Sequence, residues 1–181
     1  MSNIKIYDNF LSPVEFQNLS DNVMAKDFPW FYGEVLGPAD NQVKQKYNIQ
    51  MIHMFYQHLS ITSPTFSLLD PLIRKLGVMV LLRVKCNTTF ASDTIHEHGM
   101  HVDVHPSSLA KLCTTAIYYF NDNNGYTLFE DGTLVESVAN RLVTFPTIVQ
   151  HTGTSCTDEA RRVVLNLNYI GDLDEIQGTD S

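Results

Sequence analysis

The sequence predicts a mainly β protein of α+β type, a jelly roll with N-terminal helices packed on one face. Three observations carry that reading. From Val78 onward the chain breaks into short β-type runs at roughly 8–12-residue spacing, which suits a sandwich or barrel and not a parallel α/β sheet. Turn-forming clusters cut those runs apart, notably Asn121-Asp122-Asn123-Asn124-Gly125 and Glu130-Asp131-Gly132-Thr133. Both clear helix starts fall before residue 78.

Taken in order, Ile4 to Tyr7 alternates like a short strand. Ser12-Pro13-Val14-Glu15 then combines an N-cap serine, a proline at the first helical position and a glutamate three residues after the cap. Phe16, Leu19, Val23 and Met24 continue the apolar face, so a helix through about Ala25 follows. Tyr47 to Tyr56 has β-type composition. Ser63-Pro64 marks a second helix start, with Phe66, Leu69, Leu72, Ile73 and Leu76 at helical spacing and Gly77 at the stop. The strand candidates beyond are Val78–Lys85, Leu112–Phe120, Tyr126–Phe129, Leu134–Val138, Arg141–Phe145 and Arg162–Tyr169. A length of 181 residues suits one domain, with a scaffold over 1–77 and a core over about 78–170.

Composition excludes several classes. A net charge of −8 repels phosphate backbones and anionic lipid, so nucleic acid and membrane surfaces are not expected partners. The N-terminus lacks the basic start and apolar stretch of a signal peptide, and no window approaches a membrane span. A cytoplasmic location is the corresponding expectation. Cys86, Cys113 and Cys156 are odd in number and widely spaced, which argues for idle thiols and against a disulfide framework.

Four of the seven histidines crowd one stretch: His96, His98, His101 and His105. His101-Val102-Asp103 places an imidazole and a carboxylate two residues apart, on one side of an extended chain. With the later His151 they form three ligands on one face of an octahedron, leaving the other positions open for a bidentate acid and for oxygen, as non-haem Fe(II) oxygenases require. A closed zinc site needs four ligands, usually including cysteine, and none is suitably spaced here. A lone HxD is more often a pair of surface residues; the late histidine and the arginine that follows it in a strand lift this one above that background. His98 and His105 are assigned to the surroundings or surface, with Pro106 ending the strand after His105. In the final strand, Arg162, Val164, Asn166 and Asn168 share a polar face suited to a cavity, whereas Val163, Leu165, Leu167 and Tyr169 suit an outer layer. Arg161 reads as a solvated strand end.

The run from about Val80 to Tyr169 resembles the double-stranded β-helix core of 2-oxoglutarate/Fe(II) dioxygenases of the prolyl-4-hydroxylase type. The residues that carry this are His101-Val102-Asp103, Thr115-Ala116-Ile117-Tyr118-Tyr119-Phe120-Asn121, Gly125 to Phe129, Asn140 to Pro146, His151 and Arg161 to Asn166. Their compact form is similar to small bacterial and bacteriophage-encoded members. The resemblance implies Fe(2+) held by His101, Asp103 and His151, 2-oxoglutarate as co-substrate, O2 as oxidant and ascorbate as support. It implies Arg162 on the distal carboxylate, a planar two-pronged donor suited to that task. Tyr119 is the preferred hydroxyl beside it, with Tyr118 in the core and Thr127 and Asn166 as further pocket residues. Many relatives place a tyrosine in the strand before the HxD, and Val84 stands at the corresponding position. Asn87 to Met100, rich in Thr, Ser and His, reads as a mobile lip.

Two other readings share the jelly roll: a cupin-type metal protein using His96-Glu97-His98, and a non-enzymatic ligand-binding domain. The implied reaction is hydroxylation of an unactivated C–H bond, with a prolyl residue of a peptide or protein, or a small molecule, as substrate. Phe28 to Gly37 and Asn87 to Met100 are the segments placed to grip it. No signature fixes the oligomeric state.

Overall fold

The computed structural model describes residues 3–35, 49–103 and 110–171. The strands are β1 (Lys5–Tyr7), β2 (Phe31–Glu34), β3 (Ile49–Gln57), β4 (Ser60–Ile61), β5 (Val78–Phe90), β6 (Thr114–Tyr119), β7 (Asn123–Phe129), β8 (Leu134–Ser137), β9 (Leu142–Pro146), β10 (His151–Gly153) and β11 (Arg161–Gly171). Among the described residues, two α-helices, α1 (Pro13–Val23) and α2 (Asp70–Lys75), precede β5. The large sheet runs β1-β9-β6-β11-β5-β3-β2, with β4 on β3, and the small sheet runs β10-β7-β8. Neighbouring strands pair antiparallel throughout, and the two sheets make the jelly roll.

Alternation along the central strands sorts the core into two layers. On one side, Val163, Leu165, Leu167 and Tyr169 of β11 join Tyr118, Val84 and Cys86 with Leu19 and Val23 of α1 and Leu72 of α2. On the other side, Ile117, Tyr119, Val143 and Val164 meet Phe129 and Val135 of the small sheet. The helices lean on one face, as the sequence predicts. The capping box at α1 forms: the Glu15 amide donates to Ser12 Oγ and Glu15 accepts from the Ser12 amide at 3.1 Å.

Several boundaries differ from the sequence reading. α1 ends at Val23, two residues early, because Met24 turns as its cap. Ser63 does not start α2; its hydroxyl is engaged by His53 and Thr65, a 3-10 turn covers Phe66–Leu69, and the helix begins at Asp70 before Pro71. Gly77 does take a positive φ of 59° at the stop. Glu130-Asp131-Gly132-Thr133 is a true hairpin, whereas Asn121 to Gly125 passes the chain from the large sheet to the small one and includes the first residues of β7. β5 runs on to Phe90, five residues beyond Lys85. Cys86, Cys113 and Cys156 are all buried free thiols. Among the described residues, no helix is long and apolar enough to cross a membrane.

Candidate metal centre and cavity

His101, Asp103 and His151 converge. One ligand atom from each lies within 4.8 Å of the others, and among the described residues no further His, Cys, Asp or Glu joins them. The strand expected around His101 is a single antiparallel bridge: His101 and His151 exchange backbone hydrogen bonds at 3.0 Å in both directions. Together with the Glu97–Thr154 bridge, this lays the chain before Asp103 along β10 at the rim of the small sheet.

Each imidazole has one nitrogen facing a backbone carbonyl. His101 Nδ1 lies 3.2 Å from the Gly99 carbonyl and His151 Nδ1 lies 3.2 Å from that of Val149. Donation from Nδ1 leaves both Nε2 atoms as lone-pair donors, the form a metal needs. The His151 ring is clamped by Phe145 and Phe129, with centroids at 4.7 and 6.1 Å. Asp103 is held from both sides: Arg83 Nη2 donates to Oδ1 at 2.9 Å and Asn168 Nδ2 donates to Oδ2 at 3.2 Å. Burial pushes the Asp103 pKa up, but His151, Arg83, His101 and the Asn168 hydrogen bond bring it well below the usual carboxylate range. Burial lowers that of His151 more than Asp103 raises it. Both are therefore deprotonated donors at neutral pH.

The triad lines a cavity whose floor is built by β5 and β11. Cross-strand pairs in register run Thr89–Arg162, Asn87–Val164, Lys85–Asn166 and Arg83–Asn168. Arg162 is 5% exposed. Its Nε donates to Ser137 Oγ at 2.7 Å, its Nη2 to Thr127 Oγ1 at 3.1 Å, and its guanidinium lies 5.5 Å from the Tyr119 ring centroid. The Tyr119 hydroxyl donates to the same Thr127 oxygen at 2.8 Å. Tyr118 points the opposite way, into the helix-side core, and donates to Asn140. Asn166 lines the cavity with its Oδ1 buried and unpartnered.

Several sequence readings are sharpened or corrected by this geometry. Val84 faces the helix layer and is fully buried there, so its neighbours on β5 take the other face, where Lys85 lines the cavity and Arg83 reaches Asp103. Arg161 is not a solvated strand end: its Nη2 donates to the Met24 carbonyl that caps α1, beneath Trp30. Of the two placements read for His98, surroundings or surface, the first holds: it is 2% exposed, lines the cavity and has no partner on either ring nitrogen. The expected mobile lip begins as strand and continues as a tied strap. Asn87 to Phe90 belong to β5, and the remainder is tied down by Ala91 to Ala160, Ser92 to Cys156, His96 to Ser155 and His98 to Gly153. A neighbouring cavity of about 470 Å³, lined by Ile49, Phe90, Ser92 and His96, shares Thr89 and His98 with the first. His105 and Pro106 lie outside the described residues.

Arg83, Lys85 and Ser137 were missed from sequence. A signal for two of them existed, because Arg83, Lys85, Asn87 and Thr89 alternate with Val84, Cys86 and Thr88. Asn168 falls on the polar Arg162 face, where the sequence places it.

No protein-family model matches the sequence, and no curated protein matches it. Solved structures do share the fold. A prolyl-4-hydroxylase from Pseudomonas putida matches with a TM-score of 0.59 and 13% identity over 95% of this chain and 94% of its own. A prolyl hydroxylase from Trichoplax adhaerens, in complex with a hypoxia inducible factor peptide fragment, gives 0.62 and 16% over 100% and 89%. The non-heme alpha ketoglutarate dependent epimerase SnoN from nogalamycin biosynthesis gives 0.62 and 15% over 99% and 85%. The chain has the jelly-roll fold of these oxygenases.

Proposed function

We propose that the protein is a 2-oxoglutarate- and Fe(II)-dependent oxygenase of the prolyl-4-hydroxylase type, a hydroxylase of an unactivated C–H bond. The observation that carries this is the joint placement of the His101/Asp103/His151 cluster and the buried Arg162 in one cavity. The residues fit the groups they are to hold. Two neutral imidazoles and an ionised carboxylate are the donor set for a divalent iron with open positions. A buried guanidinium with no carboxylate partner among the described residues needs an anion to complete it.

His101, Asp103 and His151 hold the iron. Arg162, Tyr119 and Thr127 hold the distal carboxylate of 2-oxoglutarate, with Ser137 fixing the guanidinium from behind, and Asn166 lies farther along the same wall. Arg83 and Asn168 orient Asp103 so that it need not reorganise on metal binding. With iron and 2-oxoglutarate bound, the chemistry supplied is oxidation of a C–H bond by O2, coupled to release of succinate and CO2. The surrounding apolar residues Ile117, Val164 and Phe145 keep water from the site. Two substrate classes are proposed: a prolyl peptide, given the peptide complex of the Trichoplax neighbour, and a small molecule.

The test is succinate formation from 2-oxoglutarate with Fe(II), O2 and ascorbate present. Wild-type protein is expected to turn over slowly without substrate. His101→Ala, Asp103→Ala and His151→Ala each lower that rate by about 100-fold or more, and Arg162→Met raises the 2-oxoglutarate KM by about 100-fold. Wild-type protein that neither binds 2-oxoglutarate with a divalent metal nor forms succinate sinks the reading.

A further inference from the structure

The cavity contains a second cation that holds neither the iron nor the distal carboxylate of 2-oxoglutarate. Lys85 stands on the cavity-facing row of β5, directly across from Asn166, and lines the metal cavity. Four residues of strand, about 13 Å, separate its row from the Thr89–Arg162 row, so the two cations occupy opposite ends of the floor. Among the described residues, no hydrogen bond or ion pair falls to its ammonium. The charges that act on it are Arg83, which repels it, and Asp103, which attracts it. Asp103 is already engaged by Arg83 and Asn168 and belongs to the metal triad. Around Lys85 the polar complement is incomplete as well: Asn166 Oδ1 and Asn87 Oδ1 are buried without partners, and among the described residues neither Nδ2 donates a hydrogen bond, so the Asn166 N–H groups remain available as donors. Burial lowers its pKa only to about 8, which leaves it mostly charged at neutral pH.

We propose that Lys85, with the side-chain amide of Asn166 across from it, is a carboxylate anchor at the end of the cavity opposite Arg162. One ammonium and one amide N–H offer donors to the two oxygens of a carboxylate, without the denser cationic cluster that a phosphate favours. The carboxylate has two available sources: the keto-acid end of 2-oxoglutarate, or an acid group on the substrate. The proposal rests on the oxygenase reading, because it takes the cavity to be a dicarboxylate site.

Calorimetry separates the sources. In the first arm, metal-free protein is titrated with glutarate and with its half-amide, 4-carbamoylbutanoate. If Lys85 grips the co-substrate, wild-type protein prefers glutarate by about tenfold, Lys85→Gln and Lys85→Met lose the preference, and Lys85→Arg keeps most of it. In the second arm, protein loaded with Mn(II) and 2-oxoglutarate is titrated with N-acetylproline and N-acetylprolinamide. If Lys85 serves the substrate, the acid preference appears there and vanishes in the same variants. Either pattern supports the anchor. A preference that is absent from wild-type protein in both arms overturns it. So does one that Lys85→Gln and Lys85→Met keep at an unchanged melting temperature. The oxygenase reading fails separately, and takes the anchor with it, if 2-oxoglutarate does not bind wild-type protein in the presence of Mn(II).

Discussion

A Cβ built on Gly125 would lie 2.7 Å from Arg162 Cδ, 2.8 Å from Asn123 Oδ1 and 2.8 Å from the Ser155 carbonyl. Two of these three neighbours cannot yield cheaply, one being backbone and one the acceptor of the Gly125 amide. The arginine stem is what gives way. Gly125→Ala is therefore expected to swing the guanidinium off Ser137 and Thr127 and to weaken 2-oxoglutarate binding by about tenfold or more. The metal triad does not touch this glycine, so Mn(II) affinity should stay within about twofold, and paired titrations of Mn(II) and 2-oxoglutarate check both halves. Sequence could place Arg162 on the cavity side from alternation alone. It could not show Gly125 as the space into which the arginine folds, because that contact joins residues 37 apart on different sheets.

Among the elements, β1 pairs with β9 and Arg141 holds Asp8, and the chain entering α1 is tied to the sheet through the side chain of Asn140. Asn140, at φ 60°, accepts from the Leu11 amide at 2.9 Å, donates to the Leu11 carbonyl at 2.8 Å and accepts from the Tyr118 hydroxyl at 2.7 Å. Removing it orphans three buried groups and keeps a β-carbon in a left-handed conformation. Asn140→Ala should cost about 3 kcal/mol, read from urea unfolding as a lower midpoint with little change in slope. Legibility of the elements followed their periodicity. β11 is long and alternates strictly, so its two faces could be told apart before any coordinates. β5 alternates just as well, yet ending it at Lys85 hid the row Lys85–Asn87–Thr89. The stretch after Phe90 is held by backbone bonds to residues 153–160, and pairing of that range leaves no periodic trace.

At the scale of the molecule, acid is the expected weakness. His98 is buried without partners, and burial, then Arg162, His96 and His101, push its pKa from 6.5 down to about 4. Between those values the unfolded chain binds the proton and the folded one does not. The contribution is thus complete above about pH 6.5 and shrinks as pH falls toward 4. Near pH 5 the loss from His98 alone is about 2 kcal/mol, and His151, also lowered, adds in the same direction. Metal-free protein should lose stability steeply between pH 6.5 and 5, and His98→Phe, which cannot take the proton, should flatten that slope in thermal melts. A chain with a net charge of −8 nonetheless places Lys85 and Arg162 on one cavity floor, with Arg83 beside them on Asp103, a distribution that composition conceals. The reciprocal bridge between His101 and His151 has a consequence for assembly. Its two halves are 50 residues apart in the chain, and closing a loop of that length costs on the order of 3–4 kcal/mol of chain entropy. Those backbone bonds bring the two imidazoles together before any ion arrives, with ring centroids already 4.8 Å apart. The ion that docks there needs to recruit no distant strand, and once seated it becomes a rivet across the seam, making the opening of that seam the step that governs its escape.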